Sequence, residues 1–216
     1  RLCRDWSSDV CSSDLSFGGT FGPQSLAVLW AGPNDLFTAL VVGPPPGAAL
    51  IAQAMTNLGQ AVGLLYADGA RTILMPNMPD IGATPFGLGL TPGELAGLTA
   101  YSLAFDFYLN ETIAQLELGL PGLDIIGFDT LGALSRVEAN PAAYGLTNIS
   151  DPCFDGTTVC ANPDQYLFWD SVHPTEAGQQ ILGKAFYAAV PEPATVALLG
   201  LGLAGLGFSR RRKPRH

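Results

Sequence analysis

The sequence predicts an α/β protein in which helices cover a parallel sheet. From Leu26 onward, short apolar runs alternate with longer segments of helical periodicity, the pattern of consecutive βαβ units. Apolar residues make up 48% of the 216 positions, enough for one substantial core in a chain of single-domain length.

The elements follow in order. "LAVLW" at Leu26 to Trp30 is the first strand, broken by Gly32 and Pro33. After the triple proline, Leu50, Ile51, Ala54, Met55, Leu58, Val62 and Leu65 share one helical stripe that Asp68 and Gly69 end. "RTILM" at Arg71 to Met75 is the second strand, and the loop after it, "PNMPDIGATPFGLG", is too rich in Pro and Gly for regular structure. Thr91, Pro92 and Glu94 spell a capping box: the Thr hydroxyl accepts from the amide at Glu94, whose carboxylate reaches back. The helix they start runs to about Leu118. "LDIIGF" at Leu123 to Phe128 is the third strand, and Asp129 is placed to cap the next helix. A long loop holding Cys153 and Cys160 precedes the fourth strand, "YLFW" at Tyr166 to Trp169. A last helix is entered through Pro174, with Ala177, Ile181, Leu182, Ala185 and Phe186 facing inward. The expected order is βαβαβαβα, with functional residues where strands end and helices begin.

Charge narrows the function classes. Five of the ten basic residues lie in the last seven positions, so residues 1–209 carry 5 basic against 19 acidic side chains. Such a surface repels phosphate backbones and argues against nucleic-acid binding.

Polar groups sit at three strand ends: Asn34 and Asp35 in "WAGPNDL", Asn77 and Asp80 in "PNMPD", Asp170 and His173 in "WDSVHP". Asn and Asp also serve as ordinary turn and cap residues. His173 shifts the balance, because the other histidine is the terminal His216. An imidazole three residues after a carboxylate suits a general base, the Asp accepting from one ring nitrogen so that the other faces a nucleophile.

The tail is a separate unit. Ala194 to Phe208, "ATVALLGLGLAGLGF", is uncharged and mostly apolar, and an Arg cluster follows. At 15 residues it is short of the roughly 20 of a full span, yet the Arg cluster behind it is that of a cytoplasmic stop. A buried C-terminal helix is the alternative, which four Gly and the lack of a polar face disfavour. With "VPEP" at Val190 to Pro193 before it and "RRRK" after it, the tail resembles a PEP-CTERM sorting signal, with Pro191, Glu192 and Pro193 as the motif. That resemblance implies processing by an exosortase, transient anchoring in the inner membrane of a Gram-negative bacterium, and delivery to the envelope or extracellular matrix.

The opposite end reads as foreign. "DWSSDVCSSDL", Asp5 to Leu15, is the translation of a string resembling a common sequencing adapter, so residues 1–15 are expected to be non-native on a truncated reading frame. Cys3 and Cys11 then carry no information, leaving Cys153 and Cys160 in "DPCFDGTTVC". In an exported protein such a pair reads as a loop-closing disulfide, two thiols being the alternative. Zinc does not follow, since only His173 and His216 exist to join them.

"WAGPNDL" resembles the third conserved block of the SGNH, or GDSL, hydrolases, and "DSVHPTEAG" resembles their fifth. The resemblance covers roughly Leu26 to Ala189 and implies a flavodoxin-like, three-layer α/β/α fold for a domain over 16–189, with 190–216 as the sorting signal. It makes His173 the base, Asp170 its partner and Asn34 a donor to the oxyanion, with Gly32 allowing close approach of the backbone. Losing one such donor typically costs about 10² to 10³ in rate. The family's first block, Gly-Asp-Ser after a first strand, is absent, and "SSDLS" at Ser12 to Ser16 has the wrong order and no strand before it. The expectation is therefore an exported serine esterase or lipase acting through an acyl-enzyme on a lipid or an acylated polysaccharide. Its nucleophile and first strand are expected to be missing, and this chain is expected to be inactive. No metal or organic cofactor is implied. Polysaccharide O-deacetylation is the alternative within the chemistry, and a non-catalytic matrix or surface protein the alternative outside it.

Overall fold

The computed structural model describes residues 20–22, 25–42 and 47–191. The adapter-like segment, Glu192 and Pro193 of the sorting motif, and the apolar run 194–208 lie outside the described residues.

Three parallel strands form the main sheet: β1 (Leu26–Val28), β2 (Thr72–Pro76) and β3 (Asp124–Phe128), in the order β1-β2-β3. The register sets Ala27 beside Ile73 and Ile73 beside Ile125. In the central strand Ile73, Leu74 and Met75 are all buried, so both faces are covered, as a parallel sheet between helical layers requires. Ile73 and Met75 belong to the large core cluster with α2 (Ala48–Ala67) and α4 (Pro92–Gly119). Leu74 points the other way, toward Phe186 and Tyr187 of α6 (Glu176–Ala189).

The helices obey local rules. The buried residues of α2 are Ile51, Ala54, Leu58, Ala61, Val62 and Leu65, one face of a 3.6-residue repeat. α2 is long and apolar enough to cross a membrane by length and composition alone, but here its apolar stripe seals the sheet. The capping box at α4 forms as expected: the Glu94 amide donates to Thr91 Oγ1, and the Thr91 amide to Glu94 Oε2 at 3.0 Å. Phe105, fully buried on α4, fills the middle of the core. The Asp129 carboxylate caps α5 (Thr130–Ala139) by accepting from Gly132 N at 2.8 Å, and Thr175 caps α6.

Three features depart from the sequence-based expectation. Pro33–Val42 is a helix, α1; the Gly-Pro break ends β1, but a proline at the first helical position lacks only an amide that would be unpaired there anyway. The loop after β2 holds a short 3₁₀ turn (Ile81–Ala83) and a one-turn helix, α3 (Pro85–Leu88), capped by Asp80 and Thr84. The expected fourth strand is β5 (Tyr166–Phe168), and it does not join the main sheet. It pairs in parallel with β4 (Asn148–Pro152), in a stretch expected to be loop. Leu167 and Phe168 of β5 pack with Val137 and Leu146 in a second, smaller cluster, so this pair has its own core.

The two units meet through α6. Gly178, in its first turn, lies so close to β5 that a Cβ would stand 2.7 Å from the Leu167 carbonyl oxygen. The close approach seats the start of α6 on β5 while its later turns reach β3.

Candidate active site

Three loops converge on one cleft of about 500 Å³. The loop after β1 brings Trp30, Ala31 and Asn34; the loop after β2 brings Pro79 and Ile81; the loop after β5 brings Val172, His173 and Pro174. Helix α6 closes the side with Gln179, Leu182 and Phe186. All three loops leave carboxyl ends of parallel strands, where α/β proteins place their ligands.

Asp170 and His173 form a closed unit. Asp170 Oδ1 accepts from the amides of Val172 at 2.9 Å and His173 at 2.7 Å. Its Oδ2 lies 2.8 Å from His173 Nδ1. Partial burial pushes the Asp170 carboxyl up, but the His173 and Val172 amides and the His173 ring outweigh it, and the net displacement is below the ordinary value. An ionised carboxylate only accepts, so Nδ1 carries the proton and Nε2 is left for another partner. The imidazole lines the cleft and its side chain is 70% exposed.

Asn34 lies in the first turn of α1 and lines the same cleft. Gly32, just before that helix, has φ +130, and a Cβ there would stand 2.5 Å from the Phe105 ring and 3.2 Å from Met78 Cε. Glycine is thus required twice, by conformation and by space. The structure therefore brings Asn34 and His173 to one cleft, with Asp170 bonded to the His173 ring and Gly32 at the turn just before α1.

Asn77 and Asp80 serve as clamps. Asn77 donates its amide to Phe128 O at 2.9 Å, accepts through Oδ1 from Thr130 N at 2.7 Å, and accepts through its carbonyl from Trp30 Nε1 at 3.1 Å. It binds the ends of β2 and β3, the start of α5 and the cleft wall together. Asp80 accepts from Gly82 N and Thr99 Oγ1. Among the described residues no group of three or more His, Cys, Asp and Glu is placed to hold a metal ion.

Sequence reading missed several contributors. The apolar wall of Trp30, Phe37, Ile81, Val172, Leu182 and Phe186 comes from elements that each read as core. Trp30 and Phe128 both meet Phe186 edge to face, at 5.5 and 4.7 Å between ring centroids. Asp106 is an acidic position on the buried face of α4, beside the polar Ser102. It is 8% exposed and accepts from Met78 N at 2.8 Å. Burial pushes its carboxyl up to about 7; the Met78 amide opposes the rise and the charge of Asp129 adds to it.

Cys153 and Cys160 are joined in a disulfide. The hairpin they close lies beside the loop that carries Asp170 and His173, with Phe154 stacked on Trp169.

A carboxylate-bonded imidazole and an asparagine at strand ends around a largely apolar cleft are an arrangement that suits hydrolysis. The chain belongs to the GDSL-like lipase/acylhydrolase family, whose model matches residues 14–186. A second model, the PEP-CTERM protein-sorting motif, matches residues 189–213. Among curated proteins, the GDSL esterase/lipase APG of Arabidopsis thaliana is 30% identical over 169 residues, 70% of this chain and 44% of that protein. The GDSL esterase/lipase At5g03810 of the same plant is 29% identical over 136 residues, 55% of this chain and 38% of that protein. A protein from the trpE-trpG intergenic region of Pseudomonas putida is 31% identical over 199 residues, 86% of this chain and 32% of that protein. The chain spans less than half the length of these three relatives.

Proposed function

We propose that the protein is an exported carboxylic ester hydrolase that works through an acyl-enzyme. The observation that carries this reading is the hydrogen bond from His173 Nδ1 to Asp170 at 2.8 Å beside a largely apolar cleft. In this reading Nε2 of His173 takes the proton of an attacking serine hydroxyl, Asp170 holds the ring and stabilises the imidazolium, and the Asn34 amide donates to the oxyanion. Collapse of the tetrahedral intermediate then returns the proton from His173 to the leaving alcohol. Among the described residues lining the cleft there is no serine; in this reading the attacking serine is supplied by residues other than these.

The apolar wall favours an ester with an apolar acyl group, since water leaves Trp30, Phe37 and Phe186 when such a chain enters. The sorting motif at residues 189–213 supports processing by an exosortase, passage through the inner membrane and delivery to the envelope. It also favours a second substrate reading, removal of acyl groups from an envelope polysaccharide.

The test uses the protein from the intact gene with 4-nitrophenyl butyrate and an O-acetylated polysaccharide as substrates. Hydrolysis is expected to fall by about 10³-fold or more in kcat for His173→Ala and about 10²-fold for Asn34→Ala. Wild-type protein that cleaves neither substrate, with no Gly-Asp-Ser in the intact gene, overturns the enzyme reading in favour of a non-catalytic surface component.

A further inference from the structure

The loop from Trp169 to Pro174 has to hold His173 in place with little packing of its own. The side chains of His173 and Asp170 are 70% and 34% exposed. Its support comes from backbone bonds on three sides. Trp169 N donates to His173 O at 2.7 Å and closes the loop, Phe86 N donates to Ser171 O at 2.8 Å from the α3 side, and Cys153 N donates to Phe168 O at 3.0 Å just before the loop. Phe154 adds two contacts at the start of the loop: Phe154 N donates to the Trp169 carbonyl at 2.6 Å, and the Phe154 ring stacks on the Trp169 indole at 5.7 Å and 20°. Trp169 is the residue directly before Asp170.

Phe154 is half-buried and bridges Val159 across the hairpin. The hairpin turn after it, Asp155 to Val159, is exposed throughout. Its order comes from the Asp155 carboxylate accepting from the Thr157 and Thr158 amides, the Cys160 amide donating to the Cys153 carbonyl at 2.6 Å, and the disulfide. The disulfide adds a covalent clamp to the Phe154–Val159 bridge and removes alternative arrangements of the hairpin.

We propose that the Cys153–Cys160 hairpin is a positioning device for the base: the disulfide fixes Phe154, Phe154 grips Trp169 by carbonyl and ring, and Trp169 sets where Asp170 and His173 stand. This rests on the reading of His173 as the general base. Phe154 and the two cysteines touch no reacting atom; they act through the Asp170–His173 pair. A displacement of that pair on the order of 1 Å suffices for about a 10²-fold loss of rate.

The experiment compares wild-type protein from the intact gene with Phe154→Ala, Phe154→Tyr and the double variant Cys153→Ser/Cys160→Ser, using two readouts. Amide hydrogen exchange is followed at Val172 and His173, which donate to Asp170 Oδ1, and in α4 as a global reference. Turnover of 4-nitrophenyl butyrate is split into kcat and KM. Expected for Phe154→Ala and the double variant are exchange at Val172 and His173 about tenfold faster with α4 unchanged, and kcat lower by about 10- to 100-fold with KM nearly constant. Phe154→Tyr keeps the stack and stays near wild type. Exchange at Val172 and His173 that is unchanged, or faster only in step with α4, overturns the proposal. If the double variant fails to fold, Phe154→Ala decides, since it leaves the disulfide in place. Wild-type protein that hydrolyses nothing while exchange behaves as expected sinks the enzyme reading and leaves the mechanical linkage standing; activity untouched by loosened exchange sinks the positioning role alone.

Discussion

Asp106 places a carboxylate in the core, under the loop that forms one wall of the cleft. Its acid form is favoured in the folded protein, with a folded-state value of about 7 against an ordinary 3.8. The native state therefore binds more protons than the unfolded chain between those values, and stability falls as pH rises from about 4 to about 7. Asp106→Asn keeps an oxygen to accept from Met78 N and removes the ionisation. The variant is expected to be more stable than wild type above pH 7, by on the order of 2–4 kcal/mol, and nearly equal to it at pH 4; urea unfolding at the two pH values measures the difference. Gly32 is the opposite case, a residue with no chemistry and no freedom. At φ +130, with the Phe105 ring 2.5 Å from where a Cβ would stand, Gly32→Ala combines backbone strain with overpacking and is expected to cost about 2–4 kcal/mol in the same assay. The sequence made Gly32 and the Asp170–His173 pair legible because short motifs encode them. The aromatic wall around them was not legible: Trp30, Phe37 and Phe186 come from three elements that only the fold brings together.

At the level of elements, legibility followed how local the signal was. The α4 capping box, the Asp129 cap and the apolar stripe of α2 are each written in one local stretch of sequence, and each stands where the sequence put it. β4 was missed because "NISDP" carries neither alternation nor an apolar run; its place is set by pairing with β5, which no local pattern records. The separation of β5 from the main sheet was hidden for the same reason, since "YLFW" reads as a strand whichever neighbour it finds. Asn77 shows how such elements are then locked. One side chain caps α5 across a gap of 53 residues in sequence, while the same residue's backbone joins β3 and Trp30. Asn77→Ala leaves the Thr130 amide, in a fully buried residue, without its acceptor. A loss of about 1–3 kcal/mol is expected, with amide exchange faster at Thr130 and Leu131 before any change in α2. Equal acceleration in α2 would show that the clamp is not local to α5.

Across the whole molecule, charge is as one-sided as the sequence suggested. Between residues 20 and 191 there are 15 acidic side chains and three basic ones, Arg71, Arg136 and Lys184. The His173–Asp170 pair has ion-pair geometry, and Asp80, Glu94, Asp129 and Asp155 accept from caps and turns. Self-repulsion of like charges therefore acts on the folded body with little local compensation. Two consequences separate this molecule from one stabilised by surface ion pairs, which salt would weaken. Raising sodium chloride from about 10 mM to about 500 mM, where the Debye length drops from roughly 30 Å to a few ångströms, is expected to raise Tm, with the midpoint followed by calorimetry. On the ester-hydrolase reading proposed above, the same screening raises kcat/KM for an ester bearing an anionic headgroup and leaves kcat/KM for a neutral 4-nitrophenyl ester unchanged, because the cleft wall is largely apolar and the repulsion acts on approach. A Tm that falls with salt would mean that attractive pairs outweigh the repulsion. Equal salt dependence for the two esters would move the effect from the field around the body to the cleft.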